Sequence, residues 1–380
     1  MMPGRQPRVQ PAVPTRSRLV DYALLLMTAA VLTLPNLGSS SLWDVDEGVN
    51  AEAAREMFEA GTWVIPTFNA ELRTAKPVML YWLQRGSYAA FGVSEWSARL
   101  PSVLAGWLTI LLVYELGRQM FGRGTGLLAG VILASAIEFC MLAHAATPDA
   151  TLLCFTVLSF YLFWIGQENN GRNWWIPTAA ACGLAMLTKG PVGVALPGLV
   201  ILLYFTWNHD LGRLWDRKFL WAGLVFVFVV GPWYALVTSE TRGAWAKAFF
   251  LNENLNRALT SMEDHSGPIY YHAAALLALF APWSIFLIPS VWHGVKGSSR
   301  IQSSGTALPG LPERFLLCWF AAYLVFFSLV RTKLPNYVLP LYPALAILTA
   351  RFLIRWRDGE LVLPKWVMTA SIAATALLGI

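Results

Sequence analysis

Three carboxylates fall within four residues in the segment WDVDEG: Asp44, Asp46 and Glu47. A carboxylate placed there can accept the proton of an incoming hydroxyl, the work of a general base. The same residues also suit a helix start, with Asp46 as N-cap and Glu47 in the first turn stabilised by the helix dipole. A second acid, Asp149, follows Pro148 in HAATPDATLL and poses the same choice. Cations stand at comparable positions: Lys76 in TAKP, Lys189 in LTKGPVG, Arg257 in NENLNR, and Arg331 with Lys333 in VRTKLPN. Any one of them is explained by an aliphatic stem lying along an apolar surface while its charge reaches water. Taken together, carboxylates that handle protons and cations that hold an anion describe a site built for phosphate.

The elements that must position these residues are set by a very apolar chain. Of 380 residues, 56% are hydrophobic and 13% charged, with mean hydropathy +0.52. A soluble domain carries about 25% charged residues, so the bilayer is the solvent here. The apolar residues come in runs near the ~20 residues that a helix needs to span hydrocarbon. They lack the alternation of a barrel, so the spans are helices. The predicted spans are 20–37, 101–117, 125–143, 149–166, 174–188, 191–207, 219–238, 270–292, 314–330 and 336–354, with a further start at 366. The last run is still apolar at Ile380, as a fragment of a longer protein would be. The chain divides into a cytoplasmic tail, 1–19, and one transmembrane domain, 20–380.

With the N-terminus inside, 17 of the 28 basic residues lie on the cytoplasmic side, the bias expected of the positive-inside rule. The loops 38–100 and 239–269 then face outward, and 208–218 and 293–313 face the cytoplasm. The outward basic residues cluster in those two external loops and in RTKLPN, the places that also hold many of the outward carboxylates. Cys140, Cys154, Cys182 and Cys318 sit inside apolar runs without a CxxC pair and read as core residues. The basic fringe meets anionic lipid headgroups, and nothing in the sequence points to nucleic acid.

The first external loop is long enough to carry structure of its own. From Glu47 to Ala60, the residues Val49, Ala53, Met57 and Phe58 fall on one side of a helix, predicted to lie on the membrane surface. A second amphipathic helix is predicted over 77–91, opening with Pro77. Its Tyr81, Trp82 and Tyr88 are aromatic types expected at the lipid interface.

The stretches DEGVNAEAAREMFEAGTWVIPTFNAELRTAKPVMLYW, EWSARLPSVLAG, LTKGPVGVALPGLVILLY and KLPNYVLPLYPALAIL resemble, in order, a known family. It is that of the bacterial polyprenyl-phosphate-sugar glycosyltransferases related to protein O-mannosyltransferases and lipid A aminoarabinose transferases. The resemblance runs from Leu42 to Ala350. It implies an all-α polytopic C-type glycosyltransferase fold with about ten or eleven transmembrane helices, and a polyprenyl-phosphate-linked sugar donor. It matches Asp46 to the family's catalytic acid with Glu47 beside it, Asp149 to the second external acid, and Lys76 to the lysine that meets donor phosphate. Arg257 lies in a segment similar to NLGRF, and Lys189, Arg331 and Lys333 join it as candidate phosphate ligands. Aminoarabinose transferases often read FEKP where this chain reads TAKP, so Ala75 replaces an acid associated there with a bound metal. No cofactor is therefore expected, and His265 and His272 are what remains to rebuild a divalent site.

The expected reaction is inverting displacement at the anomeric carbon, on the periplasmic or external face of the inner membrane. Asp46 takes the acceptor's proton, and the departing polyprenyl phosphate is stabilised by Lys76 and Arg257. The acceptor is a lipid, a protein or a polysaccharide. The rival reading is a multi-pass lipid or solute transporter, whose marks would be ionisable residues at mid-span and helices broken in matched halves.

Overall fold

The computed structural model of the protein describes residues 15–168, 174–215, 218–260, 265–298 and 311–361, together with 366, 369, 372 and 373. Most of the predicted tail, the linker beyond Ser298 and nearly all of the last apolar run lie outside the described residues. The described chain is helical apart from one two-stranded hairpin, β1 (Thr67–Phe68) with β2 (Glu71–Leu72). The helices are α1 (Thr15–Thr33), α2 (Asp44–Glu59), α3 (Met79–Phe91), α4 (Glu95–Phe121), α5 (Arg123–Ala134), α6 (Ile137–His144), α7 (Pro148–Glu168) and α8 (Trp175–Lys189). They continue as α9 (Val192–Trp207), α10 (Lys218–Glu240), α11 (Ala244–Lys247), α12 (Arg257–Leu259), α13 (Tyr271–Leu279), α14 (Leu287–Ser298), α15 (Leu311–Leu329) and α16 (Tyr342–Arg357). A π-helical segment, Ala248–Asn256, joins α11 to α12, and a 3-10 turn, Pro335–Leu341, leads into α16.

Each predicted span from 20 to 354 falls on helix, but not all of them are single rods. Among the described residues, α4, α7, α10, α15 and the unit Pro335–Arg357 are long and apolar enough to cross a membrane alone. The 15 residues of α8 and the 16 of α9 reach only about 22–24 Å at 1.5 Å per residue, against ~30 Å of hydrocarbon. The predicted spans 125–143 and 270–292 are corrected to broken helices, bent by 65° between α5 and α6 and by 118° between α13 and the helical stretch after it. The two breaks satisfy each other. Ile137 N–H donates to the Ala281 carbonyl at 3.1 Å, and the Trp283 indole donates to Ser135 Oγ at 2.9 Å. Irregular backbone at membrane depth survives only where protein groups supply such partners.

The main core lies between α4, α5, α7, α9, α15 and α16. Close helix approach depends on small residues: a Cβ at Gly126 would lie 2.4 Å from the Tyr114 carbonyl, so α5 can sit on α4 only with glycine there. α4 starts at a capping box in which Ser94 and Ser97 satisfy each other's backbone N–H groups. Of the five single spans, α10 is by far the least buried, so it is the most outward-facing.

Both amphipathic helices of the first loop form, but their faces are corrected. Ala53, Met57, Tyr81 and Tyr88 are buried in a second apolar cluster with Trp233 of α10 and Trp245 of α11. The side expected to meet lipid packs instead on protein, because these spans and loops supply enough apolar surface to cover it. α2 also starts earlier than predicted, at Asp44 with Trp43 in the N-cap position and no side-chain cap. Asp46 is therefore not an N-cap but sits within the first turn. All four cysteines are free, three of them buried and Cys140 half-buried.

Candidate active site

Glu47 is the residue that fixes the acidic segment in place. It is 3% exposed and forms a bidentate pair with Arg99, 2% exposed, with Nε 2.7 Å from Oε1 and Nη2 2.9 Å from Oε2. The same carboxylate accepts the Ala146 N–H at 2.7 Å and the Trp43 N–H at 2.6 Å. Burial alone would raise its pKa, but these donors outweigh it and hold the carboxyl below the ordinary range. Arg99 also donates to the carbonyls of Leu37, Ser40 and Ser41. One buried ion pair thus joins the exit of α1, the start of α2, α4 and the connector that leads into Asp149. With four donors on two oxygens, Glu47 has no lone pair aimed at a substrate.

Its neighbour Asp46 is exposed, and among the described residues its carboxylate has no hydrogen bond or ion pair. Asp149, 5% exposed in the first turn of α7, is engaged: Lys189 Nζ lies 2.5 Å from Oδ1, and Asn336 Nδ2 donates to Oδ2 at 3.3 Å. The Lys189 ammonium also stands 5.6 Å from the Tyr337 ring centre, within cation–π range.

Lys76 and Ala75 come from the segment between the hairpin and α3. Arg73 secures that segment by donating to Asn50 at 3.1 Å and to the Tyr81 hydroxyl at 2.9 Å, while its own carbonyl accepts the Trp245 indole N–H at 3.0 Å. Among the described residues Lys76 forms no hydrogen bond or ion pair. Burial, then repulsion from Lys189 and Arg257 against the pull of Asp46 and Asp149, brings its pKa down to about 8. A half-buried ammonium of that kind is one short of an anion.

Arg257 is delivered by the π-helical segment and pairs with Glu253 at 3.2 Å. π-helical turns are rare and recur at functional sites. The segment is seated on Gly190, the residue after Lys189. Gly190 has φ +87°, and a Cβ there would stand 2.5 Å from Phe249 Cζ, so glycine is required both for the conformation and for the contact.

These pieces enclose one cavity. Lys76, Asp149, Lys189, Glu253, Arg257 and Asn336 form its polar end, and Leu152, Val192, Tyr323, Phe327, Val330 and Leu339 form an apolar trough. Asp46 does not line it but acts electrostatically on Lys76 and Lys189, which places it near the polar end. Two predicted phosphate ligands are corrected. Lys333 turns away and donates to the Phe327 and Ser328 carbonyls at 3.1 and 2.6 Å, capping the end of α15. Arg331 is exposed and not among the cavity residues. Sequence reasoning missed Arg99, Arg73 and Asn336. All three stood in stretches singled out for resemblance, NAELRTAKP, EWSARLPS and KLPNY, without a role.

The acid that the family resemblance associates with a bound metal has no counterpart at its position in this chain. Ala75 replaces the acid, and no group of three or more His, Cys, Asp or Glu able to hold an ion occurs among the described residues. His272 is buried against the Tyr337 ring.

Comparison with known proteins places this geometry. The family described as dolichyl-phosphate-mannose-protein mannosyltransferase matches residues 75–235. An Aquifex aeolicus protein is 34% identical over 337 residues, 88% of this chain and 74% of its own length. The undecaprenyl phosphate-alpha-4-amino-4-deoxy-L-arabinose arabinosyl transferase of Pseudomonas aeruginosa is 32% identical over 356 residues, covering 91% of this chain and 62% of that protein. The crystal structure of ArnT from Cupriavidus metallidurans bound to undecaprenyl phosphate superposes with TM-score 0.79 at 30% identity, over 96% of this chain and 64% of that one. The chain thus spans under two thirds of the length of these named transferases. A transporter reading has no support in these likenesses or in charges gathered at one end of one cavity. With its cavity, its broken helices and its ordered motifs, this membrane protein has the C-type glycosyltransferase fold and belongs to the family of polyprenyl-phosphate-sugar glycosyltransferases related to protein O-mannosyltransferases and aminoarabinose transferases.

Proposed function

We propose that the protein transfers a sugar from an undecaprenyl-phosphate-linked donor to an acceptor at the outer face of a bacterial inner membrane. The observation that carries this is the cavity itself, with three cations at the polar end of an apolar trough beside an unpaired external carboxylate. The trough takes the first isoprenoid units, and Lys76 and Arg257 take the phosphate, with Lys189 held by Asp149 as a fixed positive charge behind them. Asp46 removes the proton from the acceptor hydroxyl as its oxygen attacks the anomeric carbon. The bond from that carbon to the phosphate oxygen breaks, and its electron pair stays on the phosphate. A phosphate is a weak base and needs no proton to leave, so one carboxylate base and several cations suffice.

Asp46 is assigned the base and Asp149 the positioning role because Asp149 is already neutralised by Lys189. Glu47, a predicted catalytic neighbour, is assigned to holding Asp46 and the α6–α7 connector in register. The Pseudomonas aeruginosa relative is named for transfer from undecaprenyl-phosphate-linked 4-amino-4-deoxy-L-arabinose. The sugar and acceptor here follow from assay: purified protein is given synthetic undecaprenyl-phosphate pentoses and hexoses with lipid A, peptide and glycan acceptors. The proposal expects one donor to yield a glycosylated acceptor plus undecaprenyl phosphate in equal amounts. Movement of intact donor across a vesicle membrane without cleavage would sink it.

A further inference from the structure

Glu253 is an odd residue for a phosphate site. It lines the cavity, its side chain is 20% exposed, and its carboxylate holds Arg257 at 3.2 Å, one of the cations that the phosphate needs. The other lining acid, Asp149, is paired with a different cation and braced by Asn336. Among the described residues, the charged groups on the cavity wall are Lys76, Lys189 and Arg257 against Asp149 and Glu253, one net positive charge. Without Glu253 there would be two.

The transfer step changes the charge of the ligand. Before it, the donor phosphate is a diester with a single negative charge. When the bond to the anomeric carbon breaks, the phosphate keeps the electron pair and becomes a monoester, whose second pKa of about 6 leaves it largely doubly charged at neutral pH. The wall's one net positive charge matches the donor and falls one short of the product, and the Asp46 carboxylate near the polar end only widens that shortfall.

We propose that Glu253 is a selectivity residue, making the cavity favour the singly charged phosphodiester over the doubly charged phosphomonoester that transfer leaves behind, and so promoting product exit. This rests on the transferase reading above. Arg257 serves both states: it is shared between Glu253 and the donor phosphate, and the repulsion between Glu253 and the ligand grows when the second charge appears.

The test compares undecaprenyl phosphate with its methyl ester, a diester of fixed single charge, by direct binding to the purified protein at pH 7.5. In the wild type the diester binds more tightly than the monoester. Glu253→Gln preserves length and a hydrogen bond to Arg257 but removes the charge. It is expected to tighten monoester binding by about tenfold, as loss of one nearby repulsion allows, and diester binding by a clearly smaller factor. Equal change for both probes, or equal weakening of both, would mean that Glu253 only positions Arg257, and the inference is overturned. So would tighter binding of the monoester by the wild type, a readout that needs no variant. If neither probe binds the wild type, the transferase reading fails, and this inference falls with it; binding with an unchanged ratio sinks the inference alone.

Discussion

At the scale of single residues, the site separates two adjacent acids that look alike in the sequence. Asp46 and Glu47 share a motif, but one is exposed and the other is locked by Arg99 and two backbone N–H groups. Glu47→Gln leaves the Arg99 charge buried without its partner, which costs about 3–5 kcal/mol where such pairs are broken. Thermal unfolding in detergent should therefore show a marked loss of stability; unchanged melting would show that the pair is dispensable. Lys76 gives a pH prediction. Its pKa, brought down to about 8 in the free protein, means that the ammonium is present below that pH and lost above it. The groups acting on it are Lys189, Arg257, Asp46 and Asp149. Undecaprenyl phosphate keeps its own charge constant above pH 7, so its affinity should fall as pH rises through about 8. Lys76→Ala should remove that inflection and weaken binding by about 10- to 100-fold, the worth of one charge-assisted hydrogen bond. Lys76→Arg should shift the fall well beyond pH 9. A flat profile for the wild type would take Lys76 out of the phosphate site. Asp46, Lys76, Asp149, Lys189 and Arg257 stood out in the sequence because all stand at boundaries of apolar runs, and the last four line one cavity. Lys333 stands at such a boundary too and was misplaced, since position along the chain does not say which way a flexible stem turns.

At the scale of elements, the site depends on segments that bind each other through backbone. The π-helical segment that carries Glu253 and leads into Arg257 rests its Phe249 ring on Gly190, next to Lys189. Gly190→Ala would meet two penalties, the positive φ and the contact with Phe249; the backbone part alone costs roughly 1–3 kcal/mol. Donor KM should rise more than kcat falls, because the displaced parts hold phosphate rather than the base. Adding Phe249→Leu should recover part of the loss by making room. A Gly190→Ala enzyme with wild-type kinetics would show that this seat does not position the cations. These features were hard to read from residues alone. Gly190 follows a lysine in LTKGPVG and looks like a simple helix end, and the loop 239–269 carries no pattern that distinguishes a π-helical turn from an α-helical one. The α5–α6 break has no Pro or Gly at Ser135–Ala136, so hydropathy runs across it. Its partner at Pro282 is a visible helix breaker, yet the apolar run continues on both sides and reads as one span.

At the scale of the whole molecule, composition and run length made the membrane fold legible, while packing decided what covers what. Tyr81 and Tyr88 have the chemistry of interface residues, and only the assembled structure shows them buried against α10 and α11. The molecule joins an apolar trough, a cationic end and one unpaired acid, and the proposed chemistry turns on that acid. Asp46→Asn keeps volume and first-turn position. The change costs only the charge–dipole contribution, about 0.3–1 kcal/mol of stability. The decisive measurement is turnover from an undecaprenyl-phosphate sugar by purified Asp46→Asn protein, beside its affinity for undecaprenyl phosphate and its melting temperature. The account predicts near-normal folding and binding with turnover reduced about 100- to 10,000-fold, the loss typical of a missing general base. Near-normal turnover would contradict it and move the proton acceptor elsewhere in the site.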